Sequence, residues 1–267
     1  MRQIAILTDF GISDNYNGVM EAVIRKINPE VTITYITPNA RNFDVISGAY
    51  LLYTAYKYFP KGTIFLVVID PGVGTSRKPL IVKTNKYFFV GPDNGVLYPA
   101  IHDDGIRKVV AISNKRLYLS KQTSYTFHGR DIFSVASAFL SLGIDVLTFG
   151  EEVDPNSLVR LEFKQEDRGN SVCGTVIYVD HFGNVATSIR KEARGVKGVT
   201  IRDRKFSAKR VNTFGEGRPG ELLVYTNSYG FLEIGINKGS ASQFTGAETG
   251  DEVCVELYTQ EDSSRST

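Results

Sequence analysis

The sequence predicts an α/β domain followed by a smaller all-β domain, and three observations carry that reading. Residues 1 to about 150 alternate strand-like apolar runs with stretches of helical spacing, the order that repeated βαβ units produce. Beyond about residue 169 the helical spacing fades and short β-rich runs recur. Between them, Glu151 to Gly169 is polar and charged, with Asp154-Pro155-Asn156-Ser157 and Gln165-Glu166-Asp167-Arg168-Gly169. The expected organisation is therefore an α/β domain over residues 1–152 with a mainly parallel sheet flanked by helices, and a linker over 153–169. A β-rich barrel or sandwich follows over 170–259, then a frayed polar tail over 260–267.

Each element has a local reason. Ile4 to Leu7 is a short apolar run, Asn15 to Ile27 carries apolar residues at helical spacing before Asn28-Pro29, and Val31 to Ile36 alternates as a strand does. Asp44 is placed to cap a helix over Val45 to Tyr58, which must stop at Pro60 and Gly62. Ile64 to Ile69 is continuously apolar, the pattern of a strand buried on both faces. Leu80 to Val82 and Tyr87 to Val90 add strands, and Gly129 to Leu142 reads as a helix. The second domain offers strands at Ser171 to Val179, Asn184 to Ile189, Glu221 to Thr226, Phe231 to Ile236 and Glu252 to Tyr258.

Composition narrows the function classes. The chain has 31 basic and 29 acidic residues among 267, a net charge of +2, so no strong field favours nucleic acid or a membrane surface. A small-molecule partner is the expectation. Cys173 and Cys254 form no CxxC pair and predict plain buried thiols of a reducing compartment rather than a disulfide. With neither a secretory pattern nor an apolar stretch of about 18 residues, the expected location is cytoplasmic.

The chemistry concentrates where strands end. Asp70-Pro71-Gly72-Val73-Gly74-Thr75-Ser76-Arg77 follows the buried run and puts an acid and a base on one glycine-rich loop. A strand ending on Asp delivers a carboxylate to the sheet edge where open α/β folds bind ligands. Asp9, in Thr8-Asp9-Phe10-Gly11, follows the first strand in the same way; it reads as a metal ligand, as an acceptor for sugar hydroxyls, or as a helix cap. Of the three histidines, His128 stands where a helix begins, and the helix dipole there favours a neutral ring. His102, beside Asp103-Asp104-Gly105, reads as part of a surface turn. No HExxH motif appears and no two histidines lie at zinc-ligand spacing. Asp180-His181-Phe182-Gly183-Asn184 and Thr226-Asn227-Ser228-Tyr229-Gly230 each read as a recognition turn or as an ordinary hairpin.

Taken jointly, and in this order, these segments together with Gly91-Pro92-Asp93-Asn94-Gly95 resemble the S-adenosylmethionine hydroxide adenosyltransferases. These are the adenosine-forming S-adenosyl-L-methionine hydrolases, relatives of fluorinase and chlorinase. The resemblance runs from about residue 3 to 258. It implies hydrolysis to adenosine and L-methionine by in-line attack of an enzyme-held water at ribose C5′, with no cofactor and no metal. It implies a homotrimer with active sites between subunits. In the family an Asp, an Arg and a His hold the water, and these match Asp70, Arg77 and His128. Asp9 matches the ribose-diol carboxylate, with Tyr16 near the substrate; Asp180 matches the partner of the methionine ammonium and Asn184 the adenine-reading amide. Phe182 falls beside them, Phe43 and Phe214 match adenine-stacking rings, and Ser228 with the backbone of Tyr229 matches the carboxylate site. At Phe43 the match departs from the usual pattern, because Asn42-Phe43-Asp44 replaces a more usual His-containing segment. Three rival readings remain at this level: a halogenase of the same fold, a non-catalytic S-adenosylmethionine or adenosine sensor, and a metal-dependent phosphatase built on Asp9, Asp14 and Asp70. The halogenases replace the acid with an uncharged residue, and a carboxylate would repel a halide by a few kcal/mol at about 4 Å and an effective dielectric near 20.

Overall fold

The computed structural model describes residues 3–191 and 195–258, and the chain divides into two compact units that meet at residues 162 and 163. The expected tail and the first two residues lie outside the described residues.

The first unit runs β1 (Ile4–Thr8), α1 (Tyr16–Ile27), β2 (Ile33–Thr37), α2 (Val45–Ala55), β3 (Ile64–Val68), β4 (Pro79–Thr84), β5 (Phe88–Pro92), α3 (Tyr98–Asp104), β6 (Ile106–Ala111) and α4 (Ser134–Ser141). Its strands form one sheet in the order β2-β1-β3-β5-β4-β6. The neighbours from β2 to β5 are parallel, whereas β4 runs antiparallel to both β5 and β6, so the sheet is mixed. Along β3, Ile64, Leu66 and Val68 join one core with Met20, Ile24 and Phe133, while Phe65, Val67 and Ile69 join a second with Leu52, Tyr56 and Ile101. Successive side chains point to opposite faces of a sheet. Both faces of β3 are covered, which is why its sequence is unbroken apolar text.

Asp44 caps α2 as the sequence predicts, its Oδ1 accepting the Ser47 N–H at 2.9 Å. Two local expectations need correction. His102 belongs to α3, stacked on Tyr98, rather than to a surface turn, and the chain turns only afterwards at Gly105, whose φ is +83°. The helix expected from Gly129 begins instead with a π-helical turn over Gly129–Phe133 before α4.

The second unit runs β7 (Gln165–Asp167), β8 (Ser171–Val179), β9 (Val185–Thr187), β10 (Val196–Ile201), β11 (Arg204–Ser207), β12 (Lys209–Arg210), β13 (Leu222–Thr226), β14 (Leu232–Ile236), α5 (Ala241–Thr245) and β15 (Glu252–Leu257). The order is β11-β10-β15-β8-β9-β14-β13-β12, with β7 beside β8. The two end strands, β11 and β12, are consecutive in the chain and separated by Ala208 alone, so the sheet curls back on itself into a nearly closed, barrel-like form. Inside lie Val172, Val176, Val185, Val199, Val224, Ile234 and Val253.

The stretch expected as linker is shared between the units. Val153 N–H bonds Val109 O and Leu158 is buried in the first unit, whereas 165–167 is strand β7 of the second. The expectation for the cysteines is overturned: Cys173 and Cys254 are disulfide-bonded. They are 81 residues apart in sequence, but the antiparallel pairing of β8 with β15 sets them directly opposite each other. Facing positions on an antiparallel pair bring side chains into contact whatever their sequence separation. The cysteines therefore give no support to a reducing compartment.

Candidate functional site

The C-terminal ends of β1 and β3 and the turn before α4 surround a cavity of about 500 Å³ in the first unit. Asp9, Tyr16, Phe43, Asp70 and His128 all line it, five residues that the sequence singled out. Asp70 follows β3, and Asn94 steadies that strand end by donating to the Ile69 carbonyl at 2.9 Å.

Arg77 returns across the glycine-rich loop to Asp70. Its Nε lies 2.9 Å from Oδ1 and 3.1 Å from Oδ2, and its Nη2 also bonds Oδ2. The same Nη2 is 2.9 Å from His128 Nδ1, and the guanidinium carbon is 5.3 Å from the Phe133 ring centre. The side chains of Arg77 and Asp70 are only 8 % and 5 % exposed. Arg77 does not line the 500 Å³ cavity; it lines a second cavity of about 740 Å³, and Ser124 and His128 border both. The acid thus faces the first cavity, the base stands behind it, and the imidazole forms the wall between. Burial, reinforced by the Arg77 charge, holds the His128 imidazole below its ordinary pKa, while Asp70 and Asp131 act the other way.

Asp9 caps no helix, since α1 starts from Asn15. Its Oδ2 instead accepts the Phe43 N–H at 2.7 Å. Burial raises the Asp9 carboxyl above the usual range, partly offset by that hydrogen bond. Phe43 adopts a left-handed φ of +62° and is 72 % exposed beside the cavity. A non-glycine residue held in that region costs free energy, and such positions cluster at ligand sites. Tyr16 packs with Phe10 and Phe127 at centroid distances of 5.4 and 5.3 Å, forming an aromatic wall.

Several residues of the site were not read from the sequence. Asn17 bonds Thr8 Oγ1 at 2.7 Å and the Gly11 carbonyl at 2.9 Å, fixing the loop that carries Asp9. Asp131 is 1 % exposed and its carboxylate accepts the Ser124 N–H at 2.7 Å and Arg130 Nε at 2.6 Å, pinning the segment that leads into His128. Phe10 follows Asp9, Phe127 precedes His128 and Asp131 comes three residues after it, and that adjacency was the available signal.

In the second unit the predicted residues fall into two groups. Asp180 Oδ1 accepts the N–H groups of Phe182 and Asn184, and its Oδ2 accepts Asn184 Nδ2 at 2.8 Å. Gly235 lies under Asn184 and Phe214, where a Cβ would come within 2.9 Å of both. The Phe182 ring is exposed beside this turn. Ser228 and Tyr229 occupy the turn between β13 and β14, where the Tyr229 N–H donates to Asn227 Oδ1 at 3.0 Å and is already engaged. Since β14 pairs Ile234 with Val185 of β9, the two groups sit towards opposite ends of β14, roughly 15 Å apart at about 3.3 Å per residue. Among the described residues, the only group of three or more ligand-type side chains close enough to share a metal ion is Cys173, Glu252 and Cys254, so Asp9, Asp14 and Asp70 do not converge.

A mixed α/β unit whose cavity is lined by an acid and an imidazole, both bonded to one buried guanidinium, followed by a barrel-like unit carrying exposed aromatic turns, is the arrangement of a two-domain small-molecule enzyme. Comparison with known proteins is consistent with this. Residues 4–150 match the SAM hydroxide adenosyltransferase N-terminal domain and residues 174–254 the corresponding C-terminal domain. The chain is 35% identical to an (R)-S-adenosyl-L-methionine hydrolase of Salinispora tropica, over 94% of this chain and 97% of that protein. A hydrolase of the same name from Thermus thermophilus is 33% identical over 94% and 98%, while a fluorinase of an Actinoplanes species is 23% identical over 88% and 90%. The crystal structure of an uncharacterized conserved protein from Thermotoga maritima superimposes with a TM-score of 0.85 at 40% identity, covering 95% of this chain and 99% of that one. The chain belongs to the SAM hydroxide adenosyltransferase family.

Proposed function

We propose that the protein hydrolyses S-adenosyl-L-methionine to adenosine and L-methionine, without a metal or cofactor, by attack of a held water at ribose C5′. The observation that carries this reading is that Asp70 and His128 line one cavity and are both held by the buried Arg77, in a chain 35% identical to a named hydrolase over nearly its full length. Methionine departs as a neutral thioether, so no acid has to protonate it. The difficult partner is the nucleophile, because bulk water has a pKa of about 15.7. The chain's own residues must therefore position and desolvate one water and accept its proton.

Asp9 receives the ribose hydroxyls: a carboxylate has about four acceptor sites and Phe43 N–H occupies one. Tyr16, Phe43, Phe182 and Phe214 supply ring faces for the adenosyl group, Asn184 reads the adenine edge, and Asp180 or Ser228 holds the amino-acid end, through its ammonium or its carboxylate. Ammonium and carboxylate sit on one carbon of methionine, so across the spacing of the two groups along β14 only one of Asp180 and Ser228 reaches that end of a given substrate. A homotrimer, with each site completed by a neighbouring copy, accommodates residues drawn from both units, and a cytoplasmic location supplies the substrate. No helix among the described residues is long and apolar enough to cross a membrane.

Liquid chromatography of the products from purified protein, with and without halide and with excess chelator, tests the reading. Adenosine and methionine in every condition are expected. A 5′-halo product points to a halogenase, intact substrate to a sensor, and loss of activity in chelator to a metal enzyme; each would overturn the proposal.

A further inference from the structure

The water-holding set contains two groups able in principle to take a proton, Asp70 and His128, and the hydrogen bonds around them distinguish the two. Arginine has five N–H donors and no acceptor. Because Arg77 Nη2 lies 2.9 Å from His128 Nδ1, that nitrogen must be the acceptor, and a neutral ring then carries its proton on Nε2. A protonated Nε2 can hold a water oxygen but cannot accept a water proton.

Asp70 is placed differently. Its contacts with Arg77 put one hydrogen bond on Oδ1 and two on Oδ2, so of the roughly four acceptor sites of a carboxylate one on Oδ1 stays open. Asp70 lines the cavity in which the substrate is proposed to bind, and Arg77 does not.

We infer that Asp70 is the proton acceptor of the reaction and that His128 is a fixed hydrogen-bond donor, locked as the Nε2–H tautomer by Arg77. The inference rests on the hydrolase reading for its chemistry, though not for the tautomer. In the step, a water lone pair forms the O–C5′ bond while the C5′–S bond breaks and its electron pair passes to sulfur. The water proton goes to Asp70 Oδ1 and then to solvent. Arg77 acts through both neighbours and is a positioning residue.

Two measurements test this. Protein labelled with ¹⁵N in its histidines, studied by long-range proton–nitrogen NMR without substrate above the imidazole titration, has three imidazoles, and the spectrum of His128→Gln identifies the missing one. A protonated Nε2 and bare Nδ1 at His128 are expected; a protonated Nδ1 would overturn the tautomer whether or not the protein is a hydrolase. In single-turnover assays on variants whose melting shows them folded, Asp70→Asn is expected to lower the rate by about 10²–10⁴, the usual range for a lost acid–base group. His128→Gln, which keeps an N–H donor, is expected to be the milder change. If Asp70→Asn is the milder of the two, the assignment of the acceptor is wrong.

Discussion

Replacing Arg77 by Met tests the polar centre of the first unit most directly, because it removes the guanidinium while keeping an apolar stem against Phe133. Three contacts to Asp70 and one to His128 are lost, together with a cation–π contact worth roughly 0.5–1 kcal/mol. The larger effect is on the partner left behind. Asp70 is 5 % exposed at its side chain, and breaking a buried pair from one side typically costs about 3–5 kcal/mol. Replacing both charges is much less harmful, because no buried ion is then stranded. We expect Arg77→Met to destabilise the protein by about 3–5 kcal/mol, and the double variant with Asp70→Asn to recover about 2 kcal/mol or more of that loss. Urea denaturation of the four proteins of the cycle, followed by a signal from the first unit, reads the coupling. A coupling below about 0.5 kcal/mol would mean that the pair is solvated like a surface ion pair, and the description of a buried polar centre would be wrong.

Further outcomes follow from other features. Since burial lowers the His128 pKa from its ordinary 6.5, a rate that needs the neutral ring should persist as pH falls through 6.5 and fail only below it; an acid limb in kcat/KM at or above 6.5 refutes this. The same shift makes the ring's contribution to stability fully present above about 6.5 and lost as pH falls through the lower folded-state value, because the unfolded chain takes the proton first. Thiol titration of the unreduced, denatured protein should find no free cysteine, and Cys173→Ser with Cys254→Ser should lower stability by about 2–4 kcal/mol, whereas unchanged melting would dismiss the cross-link as a stabilising element. At Gly74, where φ is +77°, an added Cβ would overlap the Tyr125 carbonyl oxygen. Gly74→Ala should cost more than about 2 kcal/mol and at least tenfold in rate, and wild-type behaviour would show that the two loops do not pack as described.

Much of this arrangement was legible in the sequence wherever one local signal sufficed. The unbroken run from Ile64 to Ile69 announces a strand covered on both faces, and Asp44 announces its helix. Asp9, Asp70 and His128 were found because each sits at an element boundary, where residue type and position together carry meaning. Features that depend on pairing between distant segments were not legible. Nothing near Cys173 or Cys254 tells that β8 and β15 bring them together, and nothing near Pro79 tells that β4 reverses direction in an otherwise parallel run. Strands β11 and β12 were missed because pieces of four and two residues give too few positions for a period to show, and in β10 Gly198 interrupts the apolar pattern. The placement of Arg77 behind the acid is a matter of side-chain direction, which sequence spacing does not encode.

The double burial of β3 bears on how a protein of this kind can change over evolutionary time. Inserting or deleting one residue in that strand would exchange the side chains belonging to its two cores and carry Asp70 away from the cavity. The acid is thus tied to the element least tolerant of length variation, whereas His128 follows a loop held by a few hydrogen bonds to Asp131. Divergence towards a different nucleophile is accordingly easier by exchanging the residue at position 70 in place than by relocating it, while changes of length near His128 are best accommodated ahead of the pinned stretch that begins at Ser124.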